Sequence, residues 1–138
     1  MDRKYRFIDD LTSDVMFEAY GKDLKEVFEN SAEAMMSVIC QLDKIGQGES
    51  KEVEVSGKDE KELLLNWLQE LIARVDIDGL FFSRFEIKEI SPTNLRAVVH
   101  GEEARPENGE TVVKAVTYYK FSLEKTEDGY KSTVSLDI

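Results

Sequence analysis

Residues 13–42 read SDVMFEAYGKDLKEVFENSAEAMMSVICQL, and the spacing of their apolar side chains changes within this one stretch. Val15, Phe17 and Ala19 alternate with polar residues, which indicates a strand with one buried face. After Gly21 the apolar residues recur at helical spacing, at Leu24, Val27, Phe28, Met35, Val38, Ile39 and Leu42. A strand that leads directly into a long amphipathic helix favours a mixed fold of helices and strands.

The rest of the chain shows the same two patterns. Residues 56–76 predict a second amphipathic helix, and alternation predicts strands within 4–9, 51–57, 79–90, 94–102, 111–125 and 130–138. Asp23 and Glu26 are spaced as a capping box at the start of the first helix. We find no internal repeat. The sequence therefore predicts an α+β fold over residues 1–138 as one domain, with two amphipathic helices packed on a mostly antiparallel sheet of about seven strands.

Strand parity predicts which side chains of the later strands face the core. The predicted inward residues are Phe81, Phe85 and Ile87 in one strand, Val113, Ala115, Tyr119, Phe121 and Leu123 in the next, and Tyr130, Val134, Leu136 and Ile138 in the last. Trp67 and the pair Met35 and Met36 lie at helical core positions, so we expect them to be buried.

The formal net charge of −11 restricts the kinds of partner this chain can bind. An acidic field repels phosphate backbones, so we expect no stable direct binding of nucleic acid and no membrane association. The same field attracts cations and basic protein surfaces. No segment resembles a membrane span or a signal peptide, so we expect a cytoplasmic protein.

The residue inventory also limits the catalytic chemistry that the chain can perform. Cys40 is the single cysteine and His100 the single histidine, so an intrachain disulfide and a Cys/His zinc set are ruled out. We expect Cys40 to be a buried structural thiol and His100 a surface or edge residue.

Carboxylates concentrate at one predicted turn and at the last residues of the sequence. The stretch IDDLTSDV, residues 8–15, contains Asp10 and Asp14, and Asp137 precedes Ile138 with its main-chain carboxylate. Such oxygen donors suit a hard divalent ion if the last strand lies beside this turn. The alternatives are that Asp10 forms an Asx-type turn, that Asp14 binds turn amides and that Asp137 is solvated, or that paired carboxylates catalyse hydrolysis.

Four segments resemble the archease family in both content and order. They are YRFIDDLTSDVMFEAYGKDLKEVFENSAEAM, VSGKDEKELLLNWLQELI, VKAVTYYKFSLEK and GYKSTVSLDI. The resemblance implies a fold of two helices with antiparallel strands. It also implies a non-enzymatic partner of the GTP-dependent RtcB-type RNA ligase, which joins tRNA halves, with the chain promoting guanylylation and multiple turnover of that ligase.

The resemblance further implies a metal site, commonly described with calcium, although magnesium or manganese also suits such ligands. Matching positions give Asp10, Asp14, Asp137 and Ile138 as the metal ligands. This chain departs from the family at Leu11 and Tyr119, where histidine is common, and near Gly109, where the loop often holds one. A role that needs imidazole is therefore not expected.

Two other classes of function stay open at this point. A general protein-interaction or chaperone-like module would use the acid cluster only as a solvated surface. A small-molecule enzyme would need a deep pocket with shifted ionisable groups, which no motif predicts.

Overall fold

The computed structural model describes residues 3–10 and 12–138. These residues form the helices α1 (Leu24–Ile39) and α2 (Glu60–Asp78) and the strands β1 (Tyr5–Ile8), β2 (Val15–Gly21), β3 (Glu49–Ser56), β4 (Leu80–Ile90), β5 (Asn94–Glu103), β6 (Ala115–Thr126) and β7 (Gly129–Asp137). Every pairing between these strands is antiparallel. The predicted α+β class, with two helices and about seven strands, is confirmed.

The strands divide into two sheets rather than forming one. One sheet has the order β1-β2-β7-β6, and the other has the order β3-β5-β4. Helix α1 contacts β2 and β4, and α2 contacts β6 and β3, so both helices touch both sheets. The apolar core is continuous across these layers. Because β7 pairs with β2, the last strand lies beside the second.

Both helices begin with the same capping arrangement. Asp23 Oδ1 accepts a hydrogen bond of 2.8 Å from the Glu26 amide, and Asp59 Oδ1 accepts one of 2.8 Å from the Glu62 amide. Each cap satisfies an amide that has no partner within its helix. The predicted cap of the first helix is confirmed.

The two strand-to-helix segments are also similar in sequence. They are residues 20–30 (YGKDLKEVFEN) and 56–66 (SGKDEKELLLN). The Asn30 side-chain amide donates to the Tyr20 carbonyl over 2.7 Å, and the Asn66 amide donates to the Ser56 carbonyl over 2.8 Å. The two segments therefore share a short local motif, in which the same hydrogen bonds recur.

Predicted core residues of the helices are confirmed. Met35, Met36 and Trp67 are fully buried, and Trp67 Nε1 donates to the Phe28 carbonyl over 3.1 Å. Cys40 is 1% exposed, and burial raises the pKa of its thiol to about 12. The thiol is therefore neutral and structural.

The predicted inward face of β4 is partly wrong. Phe82 is fully buried, whereas Phe81 is only half-buried. The pairing of β4 with β5 shifts between Phe82 and Arg84, so the alternation changes parity within the strand. Phe85 and Ile87 are buried as predicted.

Two further inward assignments are corrected in β6 and β7. Val116, on the opposite parity from the predicted residues, is buried, while Tyr119 is half-buried and points to a polar loop. Ile138 is exposed rather than inward, because β7 ends at Asp137. His100 lies half-buried on the central strand β5, where Nε2 is 3.2 Å from Glu86 Oε1, and not at a sheet edge.

Helix α1 also closes one edge of the second sheet. Glu29 Oε2 accepts a 2.9 Å hydrogen bond from the Ile87 amide of β4. Burial raises the pKa of the Glu29 carboxyl, although the Ile87 amide opposes that shift. A half-buried side chain thus satisfies an amide on an edge strand, which would otherwise be free to pair with another chain.

Candidate functional site

Pairing of β2 with β7 brings the two acidic segments together. Val15 lies opposite Leu136 in the ladder, so the next residues outward are Asp14 and Asp137. Directly opposite residues have Cβ atoms about 5 Å apart on the same face. The Ile138 amide donates to Asp14 Oδ2 over 3.4 Å. The structure therefore brings Asp14, Asp137 and Ile138 to one strand end.

Asp10 lies in the preceding turn and is fully engaged by neighbouring groups. Its Oδ1 accepts hydrogen bonds from the amides of Thr12, at 2.8 Å, and Ser13, at 3.3 Å. This is the Asx-type turn that we held open for Asp10. Tyr119 Oη donates to Oδ1 over 3.1 Å, and Lys120 Nζ lies 3.1 Å from Oδ2. The Thr12 amide, with Lys120 and Tyr119, lowers the pKa of Asp10.

A bulge in β6 places Tyr119 and Lys120 against Asp10. The register of β6 on β7 moves from Thr117 opposite Ser135 to Ser122 opposite Thr133, so residues 118–121 face Val134 alone. Lys120 has φ = 53°, a left-handed conformation that costs a residue with a Cβ about 1 kcal/mol or more. The extra residues carry this pair out of the sheet plane and onto the acidic turn.

The acidic turn is also attached to β7 by side-chain hydrogen bonds. Ser13 Oγ donates to the Val15 carbonyl over 3.0 Å and is hydrogen-bonded to Ser135 Oγ. Lys114 donates its amide to the Asp137 carbonyl over 2.7 Å, which ties the start of β6 to the same strand end. The site is thus held by three strands and the turn between β1 and β2.

Carboxylate and main-chain oxygens are the ligands that calcium prefers, and magnesium also takes oxygen. Asp14 and Asp137 are exposed and adjacent, so they fit such an ion together with the main-chain oxygens of Ile138. Asp10 fits less well, because Lys120 already neutralises it. Within residues 3–10 and 12–138, no three side chains of Asp, Glu, His or Cys converge closely enough to bind one metal ion.

Sequence reasoning missed Tyr119 and Lys120 as members of this site. Tyr119 was assigned inward by strand parity, and a bulge with a left-handed lysine leaves no pattern in the apolar residues. At the other two departures from the family, Leu11 lies outside the described residues and Gly109 forms an isolated bridge with Cys40. Tyr119 contributes a hydroxyl donor to Asp10.

Among the described residues, no helix is both long and apolar enough to cross a membrane.

The fold and the site together define a small α+β protein with an acidic cluster at the meeting point of its early and late strands. Residues 5–138 match the model of the archease protein family (MTH1598/TM1083). The chain belongs to the archease family.

Two relatives named "Protein archease" illustrate the match. The one from Methanosarcina acetivorans is 41% identical over 142 residues, covering 99% of this chain and 97% of the relative. The one from Pyrococcus abyssi is 42% identical over 124 residues, covering 86% and 87%.

Two solved structures share the fold. The solution structure of Methanobacterium thermoautotrophicum protein 1598 has a TM-score of 0.82 and 33% identity, with 98% of this chain and 99% of that chain covered. The crystal structure of Thermotoga maritima TM1083, described as "an archease, possible chaperone", has a TM-score of 0.67 and 18% identity, with 96% and 97% covered. At that lower identity the second comparison shows the fold alone.

Proposed function

We propose that this protein is a non-enzymatic protein cofactor of the GTP-dependent RtcB-type RNA ligase, promoting its guanylylation and multiple turnover. Membership of the archease family over residues 5–138 is the observation that carries the proposal. The net charge of −11 supports a basic protein surface, rather than RNA, as the direct partner.

We further propose that Asp14, Asp137 and the main-chain oxygens of Ile138 hold a divalent ion, with calcium the expected one and magnesium or manganese the alternatives. The adjacency of Asp14 and residues 137–138 at the strand end supports this assignment. Asp10 joins the ligand set once Lys120 moves away, and until then it anchors the turn. A bound ion would neutralise these carboxylates in part and fix their positions in the contact with the ligase.

The protein's own residues would act by positioning rather than by bond chemistry. The Ser13–Ser135 hydrogen bond and the Asp10 turn fix the cluster relative to β7. A rigid acidic surface can favour one conformation of the ligase and so accelerate loading and release steps. The acceleration would therefore appear in guanylylation and turnover and not in RNA binding.

A double variant tests this function. Asp14→Asn with Asp137→Asn should abolish stimulation of ligase guanylylation and turnover, while circular dichroism shows an unchanged fold. Asp128→Asn is the matched control, because Asp128 is exposed just before β7, at the end of the strand away from Asp137. Full stimulation by the double variant would reject the site.

Titration calorimetry tests the ion independently of the ligase. Calcium, magnesium and manganese should each be titrated into wild type, the double variant and Asp128→Asn. We expect binding by wild type and by Asp128→Asn that is lost in the double variant. Absence of binding at millimolar ion concentration would remove the ion from the proposal and leave the partner assignment standing.

A chaperone-like module is the second candidate. The exposure of Tyr118 and Val112 favours it, since chaperones bind through apolar surface. This function predicts that the protein suppresses thermal aggregation of unrelated proteins, with no effect of chelator. Selective, chelator-sensitive capture of the ligase would decide against it.

A further inference from the structure

An apolar groove of about 430 Å³ lies where the last turns of both helices meet. Its floor and walls include Ile39 from α1, Ile72 and Val75 from α2, Phe81 from β4, and Val113 from the segment before β6. Grooves of this kind, lined by aliphatic and aromatic side chains, commonly bind apolar groups of partners.

One rim of the groove exposes a large apolar side chain on a fixed backbone. Val112 lines the groove and is 78% exposed. The chain just before it is held to the end of α1, because the amides of Glu110 and Thr111 donate to the Ile39 and Val38 carbonyls over 2.8 and 3.1 Å. The rim is therefore already formed before any partner binds.

Helix α2 presents one face to the groove, because Ile72, Val75 and Asp76 follow the i, i+3, i+4 spacing. The apolar lining continues from this face to the exposed Val112 side chain at the rim. A contiguous apolar surface of this kind indicates a surface that is covered in a complex.

The charged side chains that line the groove all have the same sign. Among the described residues that line it, the charged ones are Asp76 and Glu110, both acidic. Both helices, which are fully described, end here without a basic residue in the last turn. Their carboxyl ends therefore add negative partial charge that no basic side chain of the last turn offsets. A complementary ligand must carry positive charge next to its apolar groups.

The groove also adjoins the acidic strand end. Val113 lines the groove, and Ala115, two residues on, pairs with Asp137. Two extended residues span about 7 Å. A single partner surface can therefore contact both places.

We propose that this groove docks a short segment of the RtcB-type ligase that carries one or two aliphatic side chains next to lysine or arginine. This inference rests on the proposed function and adds the contact surface. The aliphatic groups bury against Val75, Phe81 and Val113, and the basic groups meet Asp76 and Glu110.

Site-directed crosslinking tests the contact. Cys40 is buried, so Val112→Cys introduces the one accessible thiol, to which a benzophenone maleimide can be attached. Thr93→Cys is the matched control. Thr93 is exposed, its carbonyl accepts from the Gly57 amide before α2, and the groove lies at the far end of that helix, about 25 Å away.

Irradiation in the presence of purified ligase should crosslink the Val112→Cys protein and not the Thr93→Cys protein. Mass spectrometry should locate the crosslink in a segment with aliphatic residues beside lysine or arginine. Equal crosslinking from both positions, or a crosslinked segment without basic residues, would overturn the inference.

A binding measurement separates this inference from the proposed function. The variant Val112→Asp should bind the ligase at least about tenfold more weakly than wild type, because a charged side chain replaces the exposed apolar one at the rim of the groove. Binding by this variant equal to that of wild type would reject the groove and keep the proposed function. If wild-type protein neither binds nor stimulates the ligase, the proposed function fails and the docking assignment fails with it.

Discussion

Lys120 occupies the side of Asp10 that a divalent ion would otherwise approach. Its ammonium lies 3.1 Å from Asp10 Oδ2 and 5.3 Å from the centre of the Tyr119 ring, and Asp10 raises the pKa of the lysine. The side chain itself is largely exposed, so it can leave without unfolding the bulge. An internal cation thus competes with the proposed ion at one of its predicted ligands.

We predict that Lys120→Met tightens binding of calcium about fivefold, because removing an exposed competing charge releases Asp10. Titration calorimetry at fixed ionic strength measures the change. Lys125→Met is the control, since Lys125 is exposed on the same strand and contacts Tyr130 instead of Asp10. Unchanged affinity in Lys120→Met would place the ion away from Asp10.

Cys40 gives a second prediction for a single residue. Its pKa of about 12 and its burial predict that an aromatic disulfide reagent modifies the native protein at least about a hundredfold more slowly than the unfolded protein. The Val112→Cys variant should react at its new thiol at once, which serves as the internal control. Rapid modification of the native wild type would contradict the structure around the end of α1.

For single residues, the sequence predicts the membership of Asp14 and Asp137 in the site better than that of their neighbours Tyr119 and Lys120. Both aspartates adjoin strands with clear alternation, so only their mutual pairing had to be supplied by the fold. Tyr119 and Lys120 lie in a bulge whose backbone reverses the expected side-chain direction. Neither residue propensities nor the spacing of apolar residues can predict such a reversal. One residue with positive φ changes the parity of the strand without changing its amino-acid composition.

At the scale of elements, the two strand-to-helix segments share one construction. Each has a glycine at which the strand approaches the first turn of the following helix. A Cβ added at Gly21 would lie 2.2 Å from the Val27 nitrogen, and one added at Gly57 would lie 2.6 Å from the Leu63 nitrogen. The atoms in the way are backbone, which cannot yield as a flexible side chain can. The close approach therefore explains why both segments carry glycine.

We predict that Gly57→Ala lowers the free energy of unfolding by about 2–3 kcal/mol, through overpacking against the start of α2. Urea denaturation followed by circular dichroism measures the loss. Gly48→Ala is the control, because among the described atoms nothing lies within 4 Å of a Cβ added there. The control should be neutral or slightly stabilising. Equal stability of the two variants would contradict the tight turn.

Elements were predicted more successfully than their inward faces. The helices were predictable because their apolar spacing continues over several turns and their caps are encoded locally by Asp and Glu. The strand β4 shows the limit. One register shift after Phe82 exchanges Phe81 and Phe82 between the core and the surface. The division into two sheets depends on long-range pairing, which the alternation of a single strand does not contain.

At the scale of the whole molecule, stability should depend on pH in the acid range. Burial pushes the pKa of Glu18 upward, but hydrogen bonds from Tyr20 and Arg6 and the charge of Lys131 outweigh it, so the pKa lies below its ordinary 4.5. The Tyr20 hydroxyl donates to Glu18 over 2.7 Å. The resulting stabilisation is complete above pH 4.5 and is lost as the pH falls through the folded pKa.

We therefore predict that Glu18→Gln loses on the order of 0.5 kcal/mol at pH 7, since the pairs are partly exposed, and that this difference from wild type shrinks as the pH falls below 4.5. The pKa shift of Glu29 has the opposite sign, because burial raises the pKa of its carboxyl. Glu29→Gln should therefore cost less at pH 7 than at pH 3. Denaturant titrations of the three proteins at both pH values measure these differences. A Glu18→Gln difference that is constant with pH would contradict the ion-pair assignment.

Because α1 and α2 both finish at the same groove, the carboxylates of Asp76 and Glu110 lie together there. A local concentration of negative charge exerts a torque on the protein as it diffuses toward a positively charged body, which rotates this surface toward that body before contact. At low ionic strength, the fraction of collisions in which the groove faces the partner would then exceed the fraction expected for random orientations. Added salt would shorten the range of this alignment to within about 10 Å and slow association more than dissociation.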